Sequence, residues 1–595
     1  MGVPQEKSKD FGNSVRRLWA LLRPERMVLL AILLLALVAT SLNAYGPRVL
    51  GRGTDVIIDG IQSGAMDMPE LHHRLYQALW VYGLAGVLGI STGYLIAGVV
   101  QRLMFRLRSM SEDKIHALPL SYIDKEQRGD LLSRVTNDLD NVAQSLQQTM
   151  NQMLTSVLML IGVAIMMFTI SPRLALVALV TVPLSVWSMR YIGGKARPRY
   201  IAQWMNTGEL NSQIEETFTG HAVVKAFGRQ HEVEERFRTT NVALFDASFG
   251  AQFMSSLMQP TTMFLGNVQY VIVAVVGGWM VTTGAITVGG VQAFIQYSRQ
   301  FSMPLTQLAT MMNVFQSGIA SLERVLEFLD AEEQTPDPEV RAAAGPVRGR
   351  VEFEHVDFAY DPERPLIRDL SLVAEPGQTI AIVGPTGAGK TTLVNLIMRF
   401  YELDGGRITL DGTDTASISR AELRSSIGMV LQDTWLFGGT IRENIAYGNH
   451  EATEEQILEA AKATYVDRFV AHLPDGYDSV INEEGDNISA GQKQLITIAR
   501  AFLADPAILI LDEATSSVDT RTEVLVQVAM NRLRENRTSF VIAHRLSTIR
   551  GADTILVMEN GSIVEQGSHQ ELLSRDGPYF RLYNSQFAGA AAEVE

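Results

Sequence analysis

Within its first 310 residues the chain carries six apolar stretches, near residues 27–46, 75–100, 150–170, 174–192, 260–283 and 286–310. Each is close to the length that crosses a bilayer as a helix, about 20 residues. Any one of them alone is equally the core helix of a soluble protein. Six in series, with basic residues grouped at one set of ends, favour a membrane bundle instead. Two links are very short: Ser171-Pro172-Arg173, and the segment from Thr282 to Thr287. The links after the second and fourth stretches are long, polar and helix-patterned. They open with Arg102, Arg106 and Arg108, and with Arg190, Lys195, Arg197 and Arg199. The positive-inside rule puts these links in the cytoplasm, together with Arg16, Arg17, Arg23 and Arg26 before the first crossing. Six crossings return the second half of the chain to the same side. Spans two, four, five and six continue as polar helices past the bilayer. The opening residues lack a short apolar core followed by a small-residue cleavage site, so they are no secretory leader.

A chain of 595 residues is too long for one ordinary core. Its 47% hydrophobic and 19% charged composition fits a membrane part joined to a soluble one. The net charge of -15, without a cluster of Lys and Arg, argues against a nucleic-acid partner. The absence of cysteine excludes a disulfide framework, a thiol nucleophile and a cysteine metal site. These features divide the chain into a cytoplasmic N-terminal segment (1–26), an all-α membrane domain (27–330), a Pro- and Ala-rich linker (331–349), a second domain (350–585) and a disordered tail (586–595). The periodicity changes after the linker. VEFEHVDFAY, TIAIVG, RITLDG, AILILD, SFVIAH and DTILVM alternate with helical patterns, which reads as an α/β domain with a largely parallel sheet.

The run Gly384-Pro-Thr386-Gly387-Ala388-Gly389-Lys390-Thr391-Thr392 stands between the strand TIAIV and the helical pattern LVNLIMRF. This is a phosphate-binding loop: glycines let backbone N–H groups curl around phosphates, and Lys390 adds a point charge at the outer ones. Thr391 is placed to bind Mg²⁺, and the following helix turns its positive end to the anion. In ILILDEATS, Ile508 to Leu511 deliver Asp512 to the C-terminal end of a buried strand, where ligands of open α/β sheets bind. Asp512 can orient Mg²⁺ through water and Glu513 can polarise the attacking water, a division of labour that suffices for phosphoryl transfer. The competing reading is that these acids merely cap the next helix.

With these motifs the chain resembles the ATP-binding cassette (ABC) family along nearly its whole length. The resemblance implies that Tyr360, in VDFAY, stacks on adenine; that Gln432, in MVLQD, touches Mg²⁺ and senses the membrane domain; and that His544, in VIAHR, contacts the terminal phosphate. Asp519, in SSVDT, matches a loop that crosses a dimer interface. The stretch Ile488-Ser489-Ala490-Gly491-Gln492 resembles the signature loop, usually Leu-Ser-Gly-Gly-Gln. In the family it starts a helix, and its serine and backbone bind ATP held by the opposite subunit. One cassette and six spans therefore imply a half-transporter that must pair with a second one. The wording ISAGQ and SSVDT resembles the catalytically intact member of a heterodimer, with a homodimer as the alternative. Ala490 adds a methyl beside the phosphate-binding backbone, tolerable where its dihedrals are helical.

HALPLSYIDKEQRGDLLSRVTNDLDNV and ETFTGHAVVKAFGRQ resemble the cytoplasmic loops of multidrug-type exporters, which implies cassette contacts near residues 121–125 and 222–230. The implied fold is the ABC exporter membrane domain of six helices fused to an α/β P-loop domain, in the cell membrane, using ATP and Mg²⁺. The implied activity is ATP-driven export of hydrophobic or amphipathic compounds by alternating access. An importer on the same fold, for siderophores or lipids, and an ATP-gated regulatory membrane protein are the alternatives. For the cargo, Met150, Met153, Met159, Met166, Met167, Met254, Met258 and Met263 either line a soft cavity or serve as packing. Arg299 is an anion contact, an interhelical partner or a snorkelling cation.

Overall fold

The computed structural model of the chain describes residues 10–338, 347–431, 434–482, 487–512, 520–543 and 546–586. It divides into two compact units, Met1–His116 with Gln127–Ala331, and Ala117–Glu126 with Glu332–Glu595.

The first unit is helical. Its elements are α1 (Phe11–Leu22), α2 (Arg26–Ser63) and α3 (Met68–Ala117); α4 (Leu120–Lys125) follows in the chain but belongs to the second unit. Next come α5 (Arg128–Ser133), a π-helical turn (Arg134–Asp138), α6 (Leu139–Ile170), α7 (Pro172–Thr219), α8 (His221–Ala226), α9 (Gln230–Ser256), α10 (Met258–Thr282) and α11 (Val288–Leu329). The two short links work through their caps. Ser171 accepts a hydrogen bond from Leu174 N and Pro172 takes the first helical position, so three residues suffice to start α7. Thr287 likewise accepts from Gly290 N to start α11, after Gly284 has turned the chain at φ 70°.

Five helical segments among the described residues are long and apolar enough to cross a membrane. The sixth expected span lies in α11, which is not among them. Gln292, Gln296, Arg299 and Gln300 dilute its apolar run, and it packs mainly along α6 and α2. Of these four, Gln296 and Gln300 are half-buried against neighbouring helices, while Gln292 and Arg299 are exposed. One apolar core joins Ile96, Leu103, Leu107, Leu139, Leu146, Ile319 and Val325, and a second joins Val163, Leu174, Val273, Phe294 and Tyr297. In α2, Pro47 removes the N–H that would bond to the carbonyl four residues back, and Tyr297 donates to the neighbouring Ala44 carbonyl at 2.7 Å.

Four of the eight methionines serve as packing. Met167 is buried, Met159 and Met166 pack around Val163, and Met150 packs on the core around Leu146. Met258 and Met263 are exposed. Met159 alone of the eight also borders a cavity of about 290 Å³, beside Asn43, Asn151, Ser156 and Gln307. Arg299 is exposed, and its guanidinium stands 5.5 Å from the Tyr270 ring centre, a cation–π contact between α11 and α10.

The second unit holds strands β1 (Val351–Phe358), β2 (Ile367–Ala374), β3 (Thr379–Val383), β4 (Gly405–Leu410), β5 (Thr413–Asp414), β6 (Ile427–Val430), β7 (Gly439–Thr440), β8 (Val480–Ile481), β9 (Ile508–Asp512), β10 (Thr538–Ile542), β11 (Thr554–Glu559) and β12 (Ser562–Gly567). Its further helices are α12 (Lys390–Ile397), α13 (Arg420–Ser425), α14 (Ile441–Ala446), α15 (Glu454–Ala463), α16 (Val466–Val470), α17 (Ala490–Ala504), α18 (Thr520–Arg534), α19 (Leu546–Arg550), α20 (His569–Ser574) and α21 (Pro578–Gln586). Six strands form one sheet in the order β12-β11-β3-β10-β9-β6, parallel except for the edge strand β12. The segments VEFEHVDFAY and RITLDG do not join it. They form β1 and β4 of a separate antiparallel sheet, β2-β1-β4-β5. Alternating burial along β1 distinguishes it from the fully buried β10 of the parallel sheet.

Both described ends of the linker are tied to this unit. The Arg420 guanidinium donates to the Thr335 carbonyl at 2.7 Å and to Asp337 and Glu402 at 2.6 Å. The Asp411 carboxylate accepts from the backbone N–H groups of Arg348, Gly349 and Arg350. Helix α4 packs here as well: Tyr401 donates its hydroxyl to Asp124 at 2.5 Å. Burial, reinforced by that carboxylate, pushes the Tyr401 phenol up from its ordinary pKa. Residues 222–230 belong to the first unit, and nearly all their side chains are exposed.

Candidate nucleotide-binding site

The site begins where the buried strand β3 ends. Gly384 follows at φ 153°, and a Cβ there would stand 2.2 Å from the Met558 carbonyl oxygen, so the loop leaves the sheet through a position only glycine fills. Gly387 and Gly389 also take positive φ, 82° and 98°, and Gly389 is the N-cap of α12. The chain therefore curls tightly before α12 and presents that helix's free N–H groups to the same space. Lys390 Nζ donates to the Gly384 carbonyl at 2.8 Å and to the Pro385 carbonyl at 3.0 Å, spanning the loop. Burial lowers its pKa and the nearby Asp512 opposes that shift.

A cavity of about 450 Å³ lies over the loop. Thr386, Gly387, Ala388, Gly389, Lys390, Thr391 and Thr392 form its floor, Asp512 and Ile542 one wall, and Tyr360 and Leu366 another. The sheet order explains the meeting. β3 and β9 flank β10, so the loop after β3 and the carboxylate ending β9 emerge on the same edge with Ile542 between them. Tyr360 is 47% exposed, so its ring is open to a stacking partner. Phe358 and Tyr401 hold it by edge-to-face contacts at 4.9 and 5.0 Å. Among the described residues no group of three His, Asp or Glu side chains could hold a metal by itself. An ion here would draw on Thr391, Asp512 and the phosphates of its nucleotide, and the pairing of a hydroxyl with one carboxylate beside a phosphate cradle fits Mg²⁺.

The signature-like stretch lies elsewhere. Ser489 is the N-cap of α17: its hydroxyl accepts from Gln492 N at 3.3 Å, and Gln492 Oε1 accepts from Ser489 N at 2.8 Å, a reciprocal capping box. Ala490 is the first helical residue and has no positive φ, so the methyl that replaces the usual glycine hydrogen is accommodated without backbone strain. Ile488 and Gly491 are buried while Ser489 and Ala490 face outward. None of residues 488–492 lines the cavity over the phosphate loop. Gln432, Glu513, Asp519 and His544 lie outside the described residues.

Two contributions were not legible in the motifs. Leu366 and Ile542 complete the cavity wall but are ordinary strand-region residues in the sequence. Arg500, on α17, is the other. It donates to the Asn444 carbonyl and side chain at 3.0 Å and to the Trp435 carbonyl at 3.3 Å, and it lies over the Phe437 and Tyr447 rings. It thereby ties the helix that starts at the signature to α14 and to the chain segment following Gln432. Burial lowers its pKa. No local pattern marks this arginine, because its partners are 53 to 65 positions away.

Comparison with known proteins bears on both units. The family model of the ABC transporter transmembrane region matches residues 29–305, and the ABC transporter family model matches residues 367–516. The chain is 52% identical to a fatty acid ABC transporter ATP-binding/permease protein of Mycobacterium bovis, over 97% of each chain. It is 41% identical to the uncharacterized ABC transporter ATP-binding protein YfiC of Bacillus subtilis, over 98% of this chain and 95% of that one. An ATP-dependent lipid A-core flippase of Syntrophus aciditrophicus is 36% identical over 85% of this chain and 84% of its own. A phosphate loop, a strand-end carboxylate and a bundle of apolar helices on one polypeptide thus meet a match along nearly the full length: the chain belongs to the ABC transporters with fused membrane and ATP-binding parts, ATPases whose turnover is coupled to transport.

Proposed function

We propose that this chain is one half of a dimeric ATP-driven exporter of hydrophobic or amphipathic molecules. The observation that carries the dimer is the placement of the signature: Ser489 to Gln492 open α17 away from the cavity over Lys390. A single chain therefore cradles phosphate but does not cover it, and a second half-transporter supplies the cover. The wording of the signature favours a different partner chain over a second copy. The amphiphile class is supported by the names of the relatives, which include a fatty acid transporter and a lipid A-core flippase. The membrane domain is assigned to residues 27–330 and the cassette to 350–585, with the N-terminus and cassette in the cytoplasm.

In this reading adenine stacks on Tyr360 and the phosphates lie on the loop from Gly384 to Thr392. Lys390 exchanges its two carbonyl partners for the outer phosphates, and the backbone N–H groups donate to the others. Thr391, Asp512 and Gln432 would hold Mg²⁺, which when bound supplies charge neutralisation on the phosphates. Glu513 orients and polarises the attacking water, His544 donates to the terminal phosphate, and Asp519 positions the loop that reaches the partner. Ser489, Ala490, Gly491 and Gln492 do for the partner's nucleotide what the partner's signature does here.

Two measurements test this. Glu513→Gln should abolish ATPase activity of the purified dimer while nucleotide binding persists; undiminished turnover would remove Glu513 from the chemistry. In inverted vesicles, ATP should drive a labelled amphiphile such as a fluorescent fatty acid into the lumen. Depletion from the lumen would mean uptake, and turnover without movement of any cargo would mean a regulatory ATPase.

A further inference from the structure

A second polar cavity lies in the helical unit, at the end where α11 begins, about 60 Å of helix from the end of its 42 residues. It measures about 300 Å³ and is walled by α2, by Thr169 and Ile170 at the end of α6, and by the approach to α11. Its floor is a backbone crossing. A Cβ on Gly289 would stand 1.9 Å from the Gly51 carbonyl oxygen, and one on Gly51 would stand 2.4 Å from the Gly289 oxygen, so only glycine permits α2 and α11 to meet this closely. Asp55 locks the crossing, accepting from Gly289 N at 2.7 Å and from Thr287 Oγ1 at 2.9 Å. Both of its oxygens are thus committed to the start of α11.

The remaining charged side chains of this cavity are Arg48 and Arg52, one turn apart on α2 and so on one face. Arg48 is half-buried and its guanidinium has no ion-pair or hydrogen-bond partner among the described residues, and the exposed Arg52 reaches only the Tyr45 hydroxyl at 3.4 Å. Two cations against one committed carboxylate leave the cavity positive. A half-buried cation without a counter-ion is costly, and guanidinium groups match the two oxygens of a carboxylate or phosphate. We propose that Arg48 and Arg52 form a subsite for the anionic headgroup of an amphiphile, a carboxylate or phosphate oxyanion, whose hydrocarbon tail stays in the apolar phase. The volume suits a headgroup and a few carbons rather than a whole lipid. Thr169 and Thr287 line the same space.

The inference rests on the amphiphile reading above, but its test is equilibrium binding, which needs neither turnover nor transport, so either can fail without the other. The purified full-length dimer in phosphatidylcholine nanodiscs would be titrated with a dansyl-labelled undecanoic acid and challenged with dodecanoate, dodecyl phosphate, methyl dodecanoate, dodecylamine and inorganic phosphate. Dodecanoate, dodecyl phosphate or both should displace the probe at least tenfold better than the ester or the amine. Displacement by dodecanoate alone assigns the site to fatty acids, by dodecyl phosphate to phospholipid headgroups, and by inorganic phosphate equally well to the free anion. R48Q/R52Q should raise the probe's Kd at least tenfold, with R48K/R52K recovering part of it. Equal displacement by acid and ester, or an unchanged Kd in R48Q/R52Q, would overturn the assignment. Should the glutamine variant not fold, the competition series on the unaltered protein decides.

Discussion

Gly384 and Lys390 set the chemistry at the level of single residues. Gly384→Ala puts a methyl against the Met558 carbonyl at a φ that side chains avoid, and should cost about 2 kcal/mol, read as a lower melting temperature of the solubilised protein. An unchanged melting temperature would mean that the loop can leave the sheet by another path. Lys390→Ala removes the cation spanning the loop and should weaken binding of a fluorescent ATP analogue by at least about tenfold, the worth of one charge-assisted hydrogen bond. Both residues were legible in the sequence, because the constraint on each is local: a turn between a strand and a helix, and a charge beside it. Arg500 and Tyr401 were not. Each is defined by partners far away in the chain, and a lone arginine in a helix or a tyrosine after one reads as an ordinary surface residue.

Elements are held by a few ionic and capping contacts that the hydrophobic pattern does not announce. Helix α1 is fixed to the end of α11 by the paired Arg17 and Asp330, by Asp10 N donating to Glu323 at 2.8 Å, and by the edge-to-face Phe11 and Phe315. The Arg17 guanidinium holds the Asp330 carboxyl below its ordinary range. A carboxylate with a depressed folded pKa stabilises the fold above its unfolded pKa of about 3.9 and loses that contribution as the pH falls through the lower folded value. Protection of the α1 amides, taken relative to the intrinsic exchange rate at each pH, should therefore fall below about pH 4, and D330N should show low protection already at neutral pH with little further change on acidification. A flat profile in the unaltered protein would mean that α1 is held by its apolar face alone.

The π-helical turn before α6 is fastened by Arg324, whose guanidinium grips the buried Asp138 carboxylate through Nε at 2.8 Å and through a second hydrogen bond from Nη2. R324A leaves that carboxylate uncompensated and should destabilise the protein by about 3 kcal/mol, whereas R324A combined with D138A should cost less than the sum. Additive losses would show that the two side chains act independently.

At the scale of the molecule the question is whether one chain suffices. Expressed alone, it should show little ATPase activity if its partner is a different chain, and addition of that partner should restore turnover. Robust activity of the lone chain, with a dimer in mass photometry, would make it a homodimer. Ala490→Gly bears on the same point. Because Ala490 sits in a helical first turn, this change should leave the melting temperature within about 0.5 kcal/mol equivalent, as for surface positions generally, and any change in turnover then reflects the partner's nucleotide.

Sequence alone determined what depends on neighbours along the chain: apolar stretches long enough to cross a bilayer, the short links at Ser171 and before Thr287, the phosphate loop between β3 and α12, and the carboxylate ending β9. Local dihedral preference and periodicity suffice for these, because both act over a few residues. Tertiary structure decided what depends on distant partners. It moved VEFEHVDFAY and RITLDG into a separate antiparallel sheet, since strand pairing is chosen by hydrogen-bond partners and not by the strand's own residues. It showed α11 as a polar-streaked helix packed along α6 and α2, turned half of the eight methionines into packing, and brought Gly51 against Gly289 so that Arg48 and Arg52 line a cavity. Close packing of backbones across hundreds of residues leaves no periodic trace, and so only the folded chain reveals which cavity a half-buried charge lines.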